Sequence, residues 1–344
     1  MDYVKQTVAQ NFGGDASHNL VPESQQFSLE QVPSLDGKVA VVTGGSEGIG
    51  YGCTHTLLSK GISKLFVLSV SKEVIDGAVA AVREEMGADA AAKMTWLQCD
   101  LSDLKRTAEV AQEISQSTER IDILINSAAR GIMTFQLTDY GIDRHMAITH
   151  FGHVVLTSHL LPILKQTAAQ GHTVRIVNMG SNLHEQAPKV TKFASVDELN
   201  TDYGPNPQYG RAKLAAILYS RYLARHLTSA HPNILVNATH PGIVKTKMSQ
   251  EDIHEPYPLG GYGMSVGLAP FKKSIWQGCV STMFAATTTT KSGQYICPPA
   301  VPEPGSAMSQ DEQLGEDLMK LTREVLREKT YSDSAANGCP FQDY

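Results

Sequence analysis

From Lys38 onward the chain alternates between two hydrophobic rhythms. Short runs rich in β-branched residues read as strands at Val39–Thr43, Leu65–Ser69, Thr95–Cys99, Ile121–Asn126, Val174–Asn178, Ile234–Ala238 and Gln294–Cys297. Between and after them, apolar residues recur at helical spacing over Ile49–Lys60, Val74–Met86, Leu104–Ser117, Gly141–Lys165, Tyr209–Leu227, Ser274–Ala286 and Glu312–Glu328. The strands are almost continuously apolar, and most are followed by a helix. That pattern predicts a parallel sheet covered on both faces, an α/β doubly wound fold of about seven mostly parallel strands.

No linker composition interrupts residues 37–300, which read as one domain. Residues 1–36 lack strong periodicity and contain Gly13–Gly14, Pro22 and Pro33. They read as an extension that drapes over the domain or is partly mobile. Residues 301–344 read as a tail carrying an amphipathic surface helix. Two insertions rich in Gly, Pro, Tyr and Asp, 187–207 and 249–271, follow strands on the side of the sheet where doubly wound folds bind ligands.

Composition then removes several classes. Hydrophobic residues at 42% supply a large core, and 19% charged residues exclude a disordered chain. A net charge of −6 excludes the basic footprint of a nucleic-acid binder. The N-terminus is polar and no run reaches the ~18 apolar residues of a membrane span, so a cytoplasmic protein is expected. The five cysteines are odd in number, widely spaced and free of C-x-x-C, which argues against disulfides and a zinc site. His153, His159, His184 and His240 lack metal-ligand spacing, so no metal is expected; His184, three residues past Ser181, is a candidate pocket residue.

The first chemical signal is a glycine loop. Val39–Thr43 leads into Gly44-Gly45-Ser46-Glu47-Gly48-Ile49-Gly50 and then a helix. Gly44 suits a tight turn with positive φ. Gly48 admits close approach of a pyrophosphate, and Gly50 lets helix and strand pack. The helix N-terminus offers free N–H groups and partial positive charge to phosphates. The loop predicts dinucleotide binding through Gly44, Ser46, Glu47, Gly48, Ile49 and Gly50. After the second strand, Ser69-Val70-Ser71-Lys72 carries no carboxylate for a ribose 2′-OH. Ser71 and Lys72 suit a 2′-phosphate, which favours NADP(H) over NAD(H), although Glu47 opposes it. Asp100 and Leu101 follow the third strand, where a carboxylate can receive an adenine N–H, or simply close a turn.

The second signal is Tyr209-Gly-Arg-Ala-Lys213 on a helix. Residues i and i+4 share a face, so the phenol and ammonium are neighbours. A phenol with pKa ~10 needs a nearby cation to exchange protons at neutral pH. Ser181, at the carboxyl end of a central strand, can donate to the same substrate oxygen.

Together Thr43–Gly50, Asn126-Ser-Ala-Ala129, Ser181, Tyr209-x-x-x-Lys213 and His240-Pro-Gly242 resemble the short-chain dehydrogenase/reductase superfamily, over residues of about 38–300. Thr149-His-Phe-Gly-His153, Ser181-Asn-Leu-His184 and Gly293-Gln-Tyr295 resemble its retinol-dehydrogenase-like and WW-domain-oxidoreductase-like group. The resemblance implies a Rossmann sheet, Tyr209 as acid/base and Ser181 as an oxygen-orienting donor. It implies that Lys213 binds the nicotinamide ribose and depresses the pKa of Tyr209. It places Asn126 structurally beside the cofactor, Pro241, Gly242 and Val244 against the nicotinamide, and Thr246 at its carboxamide or a phosphate. The chain departs from the pattern at Thr149, where the family usually carries an Asn that helps hold a relay water, and at Ala212, which replaces a common Ser.

The function expected is an NAD(P)(H)-dependent oxidoreductase interconverting a carbonyl and an alcohol on a lipophilic small molecule. The alternatives are a catalytically impaired dinucleotide-binding scaffold and an epimerase or dehydratase. Tyr257, Tyr262, Met264, Phe271 and Trp276 are candidates for a substrate wall, or for packing. Family members often pair through the two long central helices, so a homodimer or homotetramer is expected.

Overall fold

The computed structural model describes residues 2–13, 20–246 and 272–336. In chain order its main elements are α1 (Asp2–Asn11), β1 (Val39–Thr43), α2 (Gly48–Ser59), β2 (Lys64–Ser69), α3 (Lys72–Met86) and β3 (Met94–Gln98). Then follow α4 (Leu104–Ser117), β4 (Ile123–Asn126), α5 (Arg144–Ala169), β5 (Val174–Met179) and α6 (Pro205–Leu223). The chain continues with β6 (Ile234–Thr239), α7 (Ile275–Thr287), β7 (Tyr295–Cys297), β8 (Val301–Glu303) and α8 (Glu312–Ala336).

The strands form one sheet in the order β3-β2-β1-β4-β5-β6-β7-β8. All neighbours are parallel except β7 and β8. The order reverses between β1 and β4, so their carboxyl ends splay apart and open the crevice in which such sheets bind ligands. β1 and β4–β6 are buried almost throughout because helices cover both faces. The eighth strand escaped the sequence reading. It is three residues long with Pro302 at its centre, and a proline that cannot donate is tolerated only at an edge.

One core lies under α4, α5, α6 and α8, the other under α2, α3 and α7. The second core also takes Phe27, Val32 and Leu35, so this part of the extension is packed in place, with Phe27 edge-on to Phe284 at 5.2 Å. Helix α1 is docked as well, through its C-terminal turn.

The C-terminal helix is more than a surface feature. Leu314, Leu318, Met319, Leu321, Val325 and Leu326 are buried in the core it shares with α5 and α6. Glu316 pairs with Arg225 and His226, and Arg323 donates to the Tyr222 hydroxyl. α8 therefore lies over the central helices expected to join two copies, and pairing through the surface it covers would require it to leave. Helix α5 is long and apolar enough to cross a membrane by length and composition, but 94% of its apolar window is buried inside the protein.

Candidate active site

The glycine loop begins at the buried end of β1. Gly44 and Gly48 hold φ of 63° and 56°, a region that favours glycine. A Cβ on Gly50 would lie 2.1 Å from the Gly44 carbonyl oxygen, so strand and helix meet backbone to backbone. The loop and the α2 N-terminus form one wall of a cavity of about 560 Å³ at the carboxyl ends of β1, β2, β4 and β5. This cradle, too tight for side chains and open toward N–H groups, fits a dinucleotide pyrophosphate.

Of the expected residues, Gly44, Ser46, Glu47, Gly48, Ile49, Gly50, Ser71, Asp100, Leu101, Tyr209, Lys213, Pro241 and Thr246 line this cavity. Others do not. Asn126 is buried behind it, donating to Thr157 and Asn178. Val244 is buried and pairs in a short bridge with Lys273. Gly242 turns at φ 83° under Lys273 and the Gln10 carbonyl. Lys72 points away, with Nζ 2.6 Å from Asp76, because the i+4 carboxylate on its own helix is the nearer anion. Asp100 Oδ1 accepts from the N–H and hydroxyl of Ser102, so it acts chiefly as a turn residue. Arg130 and Arg144 line the cavity and were missed; neither belongs to a recognisable spacing.

Tyr209 and Lys213 stand one turn apart near the start of α6. Gly210 between them lets the helix pack on the turn after Ser181, where a Cβ would come within 2.6 Å of the Leu183 carbonyl. Tyr209 is half-buried, with Ser181 near its phenol. The Ser181 hydroxyl donates to Asn182 Oδ1 at 3.4 Å and accepts from the Leu183 N–H at 3.1 Å, and Ser181 is not among the cavity-lining residues. Lys213 Nζ lies 5.6 Å from the Tyr209 ring centre and donates to the Met179 carbonyl at 2.9 Å. Burial pushes the phenol up to about 12, against the smaller downward pull of Ser181. Burial also pushes Lys213 down to about 8. The expected lowering of the phenol by the ammonium is therefore not the dominant effect here; desolvation is.

Thr149 is not among the cavity-lining residues, although Ile148 is. It lies in a turn of α5, Ala147–Gly152, widened to π spacing. Gly152 packs there against Leu101 so closely that a Cβ would meet the Leu101 carbonyl at 2.4 Å. The Thr43 hydroxyl accepts from the N–H groups of Ser127 and Ala128, so its own proton goes to His153 Nε2 at 2.8 Å. His153 Nδ1–H then donates to the Thr149 carbonyl at 3.0 Å. This neutral imidazole, buried and pushed down to about 4, joins β1, β4 and α5.

Of the proposed substrate wall, Trp276 is not among the cavity-lining residues; its ring lies tilted against His55 of α2, with centroids 4.5 Å apart. The other four residues and the whole of the 249–271 insertion lie outside the described residues. The 187–207 insertion is anchored by Arg211, whose buried guanidinium donates to the Glu198 and Leu199 carbonyls and to Gln208.

The model of the short chain dehydrogenase family matches residues 38–256, well over half of the chain. The chain belongs to the short-chain dehydrogenase family. It is 52% identical to a Neurospora crassa protein named as a mitochondrial oxidoreductase, bli-4, over all of this chain and 84% of that one. It is 30% identical to human polyprenol dehydrogenase over 63% of this chain and 64% of that one. With human retinol dehydrogenase 14 it shares 28% identity over 79% and 81%. Among solved structures, the Pseudomonas aeruginosa RhlG/NADP complex superposes with a TM-score of 0.57 at 24% identity, covering 76% of this chain and 95% of that one. The chain is thus a dehydrogenase/reductase on a Rossmann sheet that takes NAD(P), and the scaffold alternative is not favoured. The cytoplasmic expectation is overturned: the Neurospora relative, matched along this whole chain, is named as mitochondrial.

Proposed function

We propose that this cleft interconverts a carbonyl and an alcohol on a lipophilic small molecule, with Tyr209 as the proton donor and acceptor. The observation that carries the reading is the convergence of Tyr209 and Lys213 with the glycine loop on one cavity, with Ser181 close to the phenol. When bound, the nicotinamide dinucleotide supplies or takes up the hydride. Ser181 donates to the substrate oxygen and holds it against the phenol. Tyr209 gives its proton to that oxygen in reduction and takes it back in oxidation. Lys213, 5.6 Å from the Tyr209 ring centre, holds the nicotinamide ribose and favours the phenolate that forms transiently. Met179, Ile148 and Pro241 leave the neighbouring wall apolar, and two relatives are named for lipid alcohols, polyprenol and retinol.

NADP(H) remains our preferred cofactor. No carboxylate stands at the end of β2, and Ser69 and Ser71 line the cavity there. The exposed Lys72–Asp76 pair is worth only about 0.3–0.5 kcal/mol, less than a charge-assisted bond to a phosphate.

The test is Tyr209→Phe, assayed by NADPH and NADH oxidation with aryl aldehydes, alkyl ketones and α-diketones. The variant is expected to lose roughly 10²–10⁴-fold in kcat while binding cofactor as the wild type does. Equal turnover by both proteins overturns the assignment.

A further inference from the structure

The peptide unit joining Ser181 to Asn182 is held at both of its polar ends by histidine rings. Its carbonyl, Ser181 O, accepts from His184 Nδ1 at 2.7 Å. Its N–H, on Asn182, donates to His240 Nδ1 at 3.2 Å. Because backbone N–H groups only donate, these contacts fix both tautomers. His184 must carry its proton on Nδ1, and its Nε2 accepts from the Ser306 N–H at 3.0 Å. His240 must carry its proton on Nε2, and it donates to Asn11 Oδ1 at 3.3 Å.

Asn11 has no freedom in this arrangement. Its Nδ2 donates to the Thr7 carbonyl at 2.9 Å, so its oxygen faces the site. That oxygen also accepts from Asn182 Nδ2 at 2.8 Å. Helix α1 is set down around this contact by Lys273 Nζ on the Ala9 carbonyl, the Ile243 N–H on the Asn11 carbonyl, and Gln10 on Glu303. Both outer anchors, Asn11 and Ser306, lie outside the span of residues 38–256 that defines the family.

We infer that the two terminal segments complete the site: Asn11 and Ser306 lock His240 and His184 in the tautomers that clamp the Ser181–Asn182 peptide and so orient the Ser181 hydroxyl. These four are positioning residues, and the inference rests on the assignment of Ser181 to the substrate oxygen. The clamp works only while both rings are neutral. A second proton on His240 would set Nδ1–H against the Asn182 N–H, donor to donor. His184, Lys273 and Lys213 face His240 and resist that proton, and desolvation holds the ring down to about 3. Around His184, Arg221 opposes protonation and Glu185 favours it, with desolvation the largest effect downward.

Two full-length variants test the clamp. Asn11→Leu removes the acceptor. Asn11→Asp keeps an acceptor oxygen but sets a carboxylate against His240 Nε2–H, so the ring gains its second proton at higher pH. Asn11→Leu is expected to lower kcat about tenfold or more at every pH with cofactor KM unchanged. Asn11→Asp is expected within about threefold of wild type at pH 9 and at least about tenfold below it at pH 6. A purely structural role for α1 would not make the loss depend on pH in one variant alone. Histidine ring resonances, recorded without turnover, report the tautomer directly: the wild type should show His240 as Nε2–H from pH 5.5 to 8.5, and Asn11→Leu should release it. Wild-type kcat in both Asn11 variants while Tyr209→Phe is inactive overturns the clamp. So does an Nδ1–H tautomer at His240. Full activity of Tyr209→Phe instead overturns the site assignment beneath it.

Discussion

The two ends of the cleft are built from different materials. The phosphate end is made of backbone: Gly44, Gly48 and Gly50 bring N–H groups and carbonyls to the surface by having no side chains. The chemical end is made of side chains, with Tyr209, Ser181, Lys213 and the rings of His153, His184 and His240 drawn from four separate parts of the chain. A backbone-built end fails when an atom is added. A side-chain-built end fails when one is removed, and it can do so without disturbing the fold.

The largest effect expected from this contrast is at Gly50. Gly50→Val drives a Cβ into the Gly44 carbonyl, and no flexible side chain is there to give way. Calorimetry should show stability reduced by on the order of 3 kcal/mol or more and cofactor binding lost together. A variant that folds at the wild-type Tm and still binds cofactor breaks the contrast. Next, Ser181→Ala should lower kcat by roughly 10²-fold, the cost of one oxygen-stabilising donor, with the melting temperature within a few degrees of wild type. A comparable fall in stability would mean that this end, too, is structural.

The pH dependence of stability comes third. His150 and His240 are pushed down to about 3, and His153 and His159 to about 4, all by burial. The unfolded chain holds these rings near the ordinary ~6.5. Between those values the unfolded state binds more protons, so stability is complete above about pH 6.5 and falls as the pH drops toward 4. Each ring contributes up to about 1.4 kcal/mol per pH unit. Hydrogen-exchange protection factors, corrected for the intrinsic rate at each pH, should therefore fall more between pH 8 and pH 5 at residues 181–184 and 240–243 than at 44–50. A uniform fall would erase the distinction. The smallest effect is at Lys72: Lys72→Ala should weaken NADP(H) several-fold, by about 1 kcal/mol, and leave NAD(H) unchanged. Equal effects on the two cofactors would remove Lys72 from the phosphate site.

Legibility follows the same division. The glycine loop was readable because its function is local: three glycines between a strand and a helix leave few alternatives. Tyr209 and Lys213 were readable for a similar reason, lying i and i+4 on one helix. Ser181 needed a strand end as well, and the resemblance to a family. Lys72 was readable only in part, because spacing tells which cation is near a site but not that Asp76 on its own helix holds it. Trp276 misled because the side an aromatic faces is not written in its neighbours along the chain. β8 was too short to show a period, and its proline argued against it.

The alternation of apolar runs and helical stretches determined the parallel sheet, and the glycine and Tyr–Lys spacings determined which end of it faces a dinucleotide. Those are relations among residues a few positions apart, and backbone geometry converts them directly into structure. Only the tertiary structure decided that a helix at the start of the chain reaches the site, that α8 covers the central helices, and that Asn11 meets His240 across 229 positions. Such contacts leave no periodic trace, because a hydrogen bond between distant residues depends on where the whole fold carries them and not on what surrounds either one in the chain.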